Sequence, residues 1–174
     1  GGNPAITVSG ADAVTLIFAC GTDYKMELPN FRGEDPHKAV TARINAAAKK
    51  GYEALKADHV ADHDALFSRV ELGFDEEIPQ IPTDELIKKY RNMIENNGGD
   101  IPTSAEQRAL EIMCYQFGRY LTIAGSRDGA LPTNLQGVWG EGWFTWYGDY
   151  HFNINVQMNY WPTMASNLSE CMKP

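Results

Sequence analysis

The chain has 174 residues, of which 43% are apolar and 22% charged, which suits a domain with its own core. A net charge of −8 and a pI near 4.9 speak against nucleic acid and anionic membrane as partners. No apolar run approaches the roughly 20 residues that cross a bilayer, and Gly1-Gly2-Asn3-Pro4 lacks the basic end and apolar stretch of a secretory leader.

In chain order, residues 5–9 and 14–20 are β-rich runs separated by Gly10-Ala11-Asp12. Two strands alone are marginal, so they are expected to belong to a larger sheet. Residues 21–34 read as a loop. Asp35-Pro36 reads as a helix start, with Asp as the cap and Pro in the first turn. The Ala-rich helix that follows runs to Lys50, where Gly51 can close it.

A second helix is expected over 52–67, with Tyr52, Leu55, His59, Leu66 and Phe67 near one face. Within it, His59 and His63 stand four residues apart, a zinc-chelating spacing. The general-base Glu of a metalloprotease motif is missing from His59-Val60-Ala61-Asp62-His63. Packing histidines on a polar helix face are therefore expected, with no metal and no cofactor. Residues 70–74 read as a short extended piece, and Pro79 and Pro82 mark a linker.

Thr83 is expected to cap a helix running to about Ile94, with Asp84 and Glu85 in the first turn, where the helix dipole favours them. Gly98-Gly99 ends it. Ser104 and Gln107 form a capping-box pattern before a long helix to about Ala124. Its apolar positions Leu110, Met113, Cys114, Phe117, Leu121 and Ala124 recur at three and four, and are expected to face a core. Arg127-Asp128 reads as a local ion pair. The cysteines Cys20, Cys114 and Cys171 are odd in number and widely spaced, and read as buried free thiols.

Residues 125–152 form a long Gly-rich, aromatic loop, and all four tryptophans lie within 139–161. Loops of this length in compact domains are functional or disordered, and the aromatic density argues against disorder. Asn134, Gln136 and Trp139 suit sugar recognition, since amides bond hydroxyls and a flat ring covers the apolar face of a pyranose. The same residues could equally tie down the loop. From His151 to Gln157 polar and apolar residues alternate strictly. On an extended chain His151, Asn153, Asn155 and Gln157 would share one uncharged, hydrogen-bonding face. Such a face suits a hydroxyl-rich ligand or a held water; the plain alternative is a half-buried edge strand. A last helix is expected over about 155–166. Asn167-Leu168-Ser169 matches a glycosylation sequon. No GxSxG, Walker A or Rossmann glycine pattern is present.

Several blocks occur in order: Phe117–Leu121, Ser126-Arg127, Leu131–Trp139, Asp149–Pro162 and Asn167–Cys171. Together they closely resemble glycoside hydrolase family 95, the inverting α-L-fucosidases. Residues 52–74 resemble the family's helical linker, and 5–28 the last strands of its N-terminal β-domain. The resemblance implies a mainly α chain with a short N-terminal β segment, part of an (α/α)6 barrel glycoside hydrolase. By this assignment 1–30 end a β-sandwich domain, 31–82 form the helical linker, and 83–174 hold the first barrel helices and an active-site loop.

The resemblance further implies that Asn153 and Asn155 position the attacking water, and that His151 contacts the sugar. His at this position goes with L-fucose and Thr with L-galactose. The general acid Glu and the supporting Asp of the family lie downstream of this motif, outside the chain. It is therefore expected to be a fragment, inactive alone, with a tendency to self-associate through faces made for missing helices. The expected substrate is a fucosylated oligosaccharide with a terminal, α1,2-linked fucose. The residues leave localisation open; for the parent enzyme an extracellular or periplasmic site is expected. The rivals are an α-L-galactosidase of the same family and a non-catalytic carbohydrate-binding or helical scaffold module.

Overall fold

The computed structural model describes residues 5–73, 79–99, 104–141 and 145–174. They are mainly helical and fall into two compact units, residues 1–61 and 62–174.

In the first unit, helix α1 spans His37–Lys50. Asp35 caps it, its Oδ1 accepting the His37 N–H at 2.9 Å. Gly51 closes it with a left-handed φ of 80° and its N–H on Ala47 O. Ahead of α1, Gly21 lies so close to Pro36 and Val40 that a Cβ there would sit 2.8 Å from Val40 Cγ2. The strands expected at 5–9 and 14–20 are not formed among the described residues. Ile6, Leu16 and Phe18 lie exposed, because an unpaired run has no neighbour to take its backbone groups or cover its side chains. The pairing present is instead a single bridge between Tyr24 and Arg32 in the expected loop. Two backbone bonds support it, Lys25 N to Phe31 O at 3.1 Å and Gly33 N to Asp23 O at 2.6 Å.

Helix α2 spans Tyr52–Phe67, as its sequence predicts. In the second unit, α3 spans Thr83–Asn96, so Thr83 is its first helical residue rather than its cap, and Pro82 before it has no side-chain oxygen to cap with. The helix stops at Gly98-Gly99, where φ is 68° and 95° and the Gly99 N–H reaches back to Ile94 O. Helix α4 spans Ala105–Gly125. Ser104 Oγ accepts the Gln107 N–H at 3.2 Å, but Gln107 sends its own amide to Glu111, so the box is half made. Helices α3 and α4 pack together. Lys89 pairs with Glu106 across them, and that hydrogen bond holds the Glu106 carboxyl below the usual carboxylate range. Helix α5 spans Asn155–Ala165 and packs on a 3-10 turn, Ser169–Met172.

Leu66, Ile123, Leu168 and Cys171 form a small core, with Phe67 against it. The buried residues of α4 are Ala109, Arg119, Ile123 and Gly125, followed by Ser126. The expected stripe is offset from this buried stripe by about one residue: Cys114, Phe117 and Ala124 are exposed, and Phe117 keeps 60% of its surface. Arg119 and Ser126 interrupt the buried stripe, so hydrophobic periodicity points to the neighbouring face instead.

Arg119 explains much of the choice. It is 2% exposed, and its guanidinium caps the end of α2. Nη1 donates to Phe67 O at 2.8 Å and Val70 O at 3.0 Å, and Nη2 to Leu66 O at 3.1 Å. The cation lies 5.0 Å from the Phe67 ring centre. Carbonyls at a helix C-terminus carry partial negative charge, which makes burial of this cation tolerable.

Two further expectations change. Arg127 pairs with Asp62 at 2.6 Å, not with Asp128 beside it in sequence. Cys171 is buried, which pushes its thiol pKa up, whereas Cys20 and Cys114 are exposed.

Candidate active site

The loop between α4 and α5 carries most of the predicted site residues, and it is held by hydrogen bonds rather than by a core. Ser126 Oγ donates to Cys171 O at 2.7 Å. That uses its one proton, so at the 2.8 Å contact between the two hydroxyls Tyr160 must be the donor. The Tyr160 oxygen in turn accepts the Thr133 N–H at 3.0 Å. Tyr150 OH donates to Pro132 O at 2.7 Å. Asn159 Nδ2 reaches Asn134 O at 2.8 Å. Two α5 side chains, Asn159 and Tyr160, thus fix residues 133–134.

Asn134 and Gly137 form a tight turn with reciprocal backbone bonds of 3.2 and 3.1 Å. The Asn134 side chain ties the loop. Its Nδ2 donates to Gly148 O at 2.9 Å and its Oδ1 accepts the Gln136 N–H at 3.0 Å. Gly137 has a φ of 72°, and a Cβ there would come within 2.9 Å of the Trp139 ring. A Cβ at Gly125 would meet the same ring at 3.3 Å. Trp139 is thus seated on two glycines and keeps 45% of its surface exposed. Gln136 and Trp139 line a cavity of about 210 Å3 with Thr133, Asn159 and Tyr160.

Residues 145–148 form one 3-10-like turn. Trp146 and Tyr147 have φ of 56° and 55°, and Gly148 follows at 70°. Left-handed backbone at a non-glycine residue costs about 1–2 kcal/mol, and such strain collects at functional sites. Tyr147 is 84% exposed. Trp146 meets the His151 ring edge-on, 5.3 Å between centres. His151 Nε2 lies 2.8 Å from Asp149 Oδ1.

The alternating polar face expected over 151–157 does not form. Residues 152–154 turn, and α5 begins at Asn155. The Val156 N–H bonds to His151 O at 3.1 Å and the Met158 N–H to Ile154 O at 2.9 Å, so local helix bonds win over an unpaired strand. Asn153 stands exposed in the turn and Asn155 is half-buried in the first turn of α5. Neither side chain makes a hydrogen bond among the described residues, so both amides are open to a ligand. Gln157 differs, donating to Phe152 O at 2.7 Å. A cavity of about 240 Å3 is lined by Asn134, Gln136, Trp139 and Gly148, and larger ones lie elsewhere. One of about 310 Å3 sits between α4 and α5, and an apolar one of about 500 Å3 lies against Phe152, Trp161 and Met172. Neither is lined by His151, Asn153 or Asn155.

The frame residues Ser126, Asn159 and Tyr160, and the Asp149 partner of His151, are absent from the sequence-predicted site. The spacing Asp149-Tyr150-His151 was the one available signal. Among the remaining motifs, His63 stacks on Phe67 at 5.1 Å and leans on Tyr120, as expected of a packing histidine. Asn167 takes a left-handed φ of 55° just past α5, a helix-ending role that its residue type suits. Trp143, Phe144 and Phe74 lie outside the described residues.

The model of the Glycosyl hydrolase family 95 catalytic domain matches residues 51–174, and the chain belongs to that family. "Probable alpha-fucosidase A" of Aspergillus niger is 37% identical over 174 residues, covering 95% of this chain and 20% of its own length. "Alpha-L-fucosidase 2" of Arabidopsis thaliana is 32% identical over 176 residues, covering 99% and 20%. "Probable alpha-fucosidase A" of Aspergillus oryzae is 32% identical over 176 residues, covering 97% and 23%. The chain thus spans about a fifth of the length of these curated relatives.

Proposed function

We propose that this chain supplies the water-positioning part of the active site of an inverting α-L-fucosidase, acting on terminal, α1,2-linked fucose of oligosaccharides. The observation that carries the assignment is its likeness, over 95–99% of its residues, to proteins named as α-fucosidases. In this assignment residues 1–30 end a β-sandwich domain whose other strands pair with the unpaired runs. Residues 31–82 are the helical linker, and 83–174 open an (α/α)6 barrel.

Asn153 and Asn155 take the attacking water. A neutral amide is not a base at pH 7, but its carbonyl oxygen accepts a hydrogen bond and orients a water. A carboxylate then draws off the developing charge, and a general acid protonates the leaving oxygen from the opposite side, roughly 6.5–9.5 Å away. Both acids belong to the parent enzyme outside this chain, so the 174 residues alone are inactive. The unbonded amides of Asn153 and Asn155 support this role; Asn134, tied to its own loop, serves to shape the site.

The test is proton NMR of the intact parent protein with 2′-fucosyllactose from the first minutes. Early β-L-fucose is expected; early α-L-fucose, or no fucose, would sink the assignment. Asn153→Ala or Asn155→Ala should lower kcat far more than it raises KM. A second reading, α-L-galactosidase, turns on one residue. His151→Thr should shift preference toward L-galactosides, measured as the ratio of kcat/KM on the two sugars.

A further inference from the structure

We propose that Asp149 is a positioning residue for His151. Its carboxylate holds the imidazole as the Nε2–H tautomer, so that Nδ1 offers a lone pair to a hydroxyl of the bound sugar. The sugar contact rests on the proposed function; the tautomer does not.

The geometry is local and specific. Asp149 Oδ1 lies 2.8 Å from His151 Nε2, and this is the ring's one hydrogen bond among the described residues. A carboxylate only accepts, so Nε2 carries the proton, and a neutral imidazole then has an acceptor at Nδ1. The His151 side chain keeps 30% of its surface, enough for a ligand hydroxyl to reach it. A second restraint acts on the same ring, the edge-on contact with Trp146 at 73° between planes.

The chain is bent to bring these groups together. Trp146 and Tyr147 hold left-handed backbone. The Asp149 N–H closes the turn on Trp146 O at 3.1 Å, and Asn134 Nδ2 pins Gly148 O. Asp149 therefore closes the turn with its backbone while its side chain aims the ring. The pair is too exposed to add much stability, and its effect is on orientation.

The direct test is long-range 1H–15N correlation of the imidazoles in the 15N-labelled chain near pH 8.5, about two units above an ordinary histidine pKa. The chain has four histidines, and His151→Gln assigns the signal by its loss. In the unaltered chain Nε2 should be protonated and Nδ1 bare. Asp149→Ala should give a tautomer mixture, and Asp149→Asn, whose carbonyl still accepts, should keep the original form. A protonated Nδ1 in the unaltered chain, or no change in Asp149→Ala, overturns the proposal. In the intact parent protein Asp149→Ala should lower kcat/KM on 2′-fucosyllactose roughly tenfold, but not when His151→Ala is already present. Equal losses in both backgrounds would show that Asp149 acts apart from His151. If the unaltered parent releases no fucose, the fucosidase assignment fails and the tautomer experiment alone decides the role of Asp149.

Discussion

Gly137 is the residue on which the aromatic part of the site depends. Its left-handed φ and its contact with Trp139 are two separate reasons why no side chain fits there. Gly137→Ala should destabilise the second unit by at least about 1 kcal/mol and lift the Trp139 ring from its seat. Urea unfolding reads the first effect. The second is read as a change in tryptophan emission that disappears in a Trp139→Phe background. An unchanged spectrum would mean that the ring is not seated on Gly137. Arg119 teaches a different lesson at this scale. Its hydrogen bonds show it holding the end of α2. A lone arginine does not announce carbonyl partners some fifty residues back in the chain.

At the scale of the element, helices were legible because their ends are written locally. Asp35 and Gly51 bound α1, Gly98-Gly99 stop α3, and Ser104 starts α4. Which face of α4 is buried was not legible. Ile123→Ala should cost about 2–5 kcal/mol, whereas Phe117→Ala, on the exposed stripe, should stay within about 0.5 kcal/mol. Thermal or urea denaturation of the two variants checks the order, and a reversed order would return the core to the expected stripe. The segment 151–157 failed as an extended strand for a related reason. Alternation fixes a face only if a neighbouring strand supplies the pairing, and here the helical bonds of α5 are available at once.

At the scale of the whole molecule, much apolar surface lies open. Phe18, Phe117, Phe152 and Trp161 are each more than half exposed. Scattered exposed apolar residues are normal, but large aromatic groups in such number favour association. The isolated chain should self-associate as its concentration rises. Light scattering checks this, and a clean monomer at high concentration would contradict it.

The sequence by itself determined the helices, most of their ends, the loop that carries the candidate site and the family to which the chain belongs, because each depends on residue order within a few positions or within short blocks. Tertiary structure alone decided that Asn134 ties a loop, that Arg119 caps a distant helix, that Trp139 rests on two glycines and that Asp149 meets His151. Each of these requires side chains to find partners through space. A hydrogen bond or a van der Waals seat is set by distances of a few ångströms that no spacing along the chain specifies.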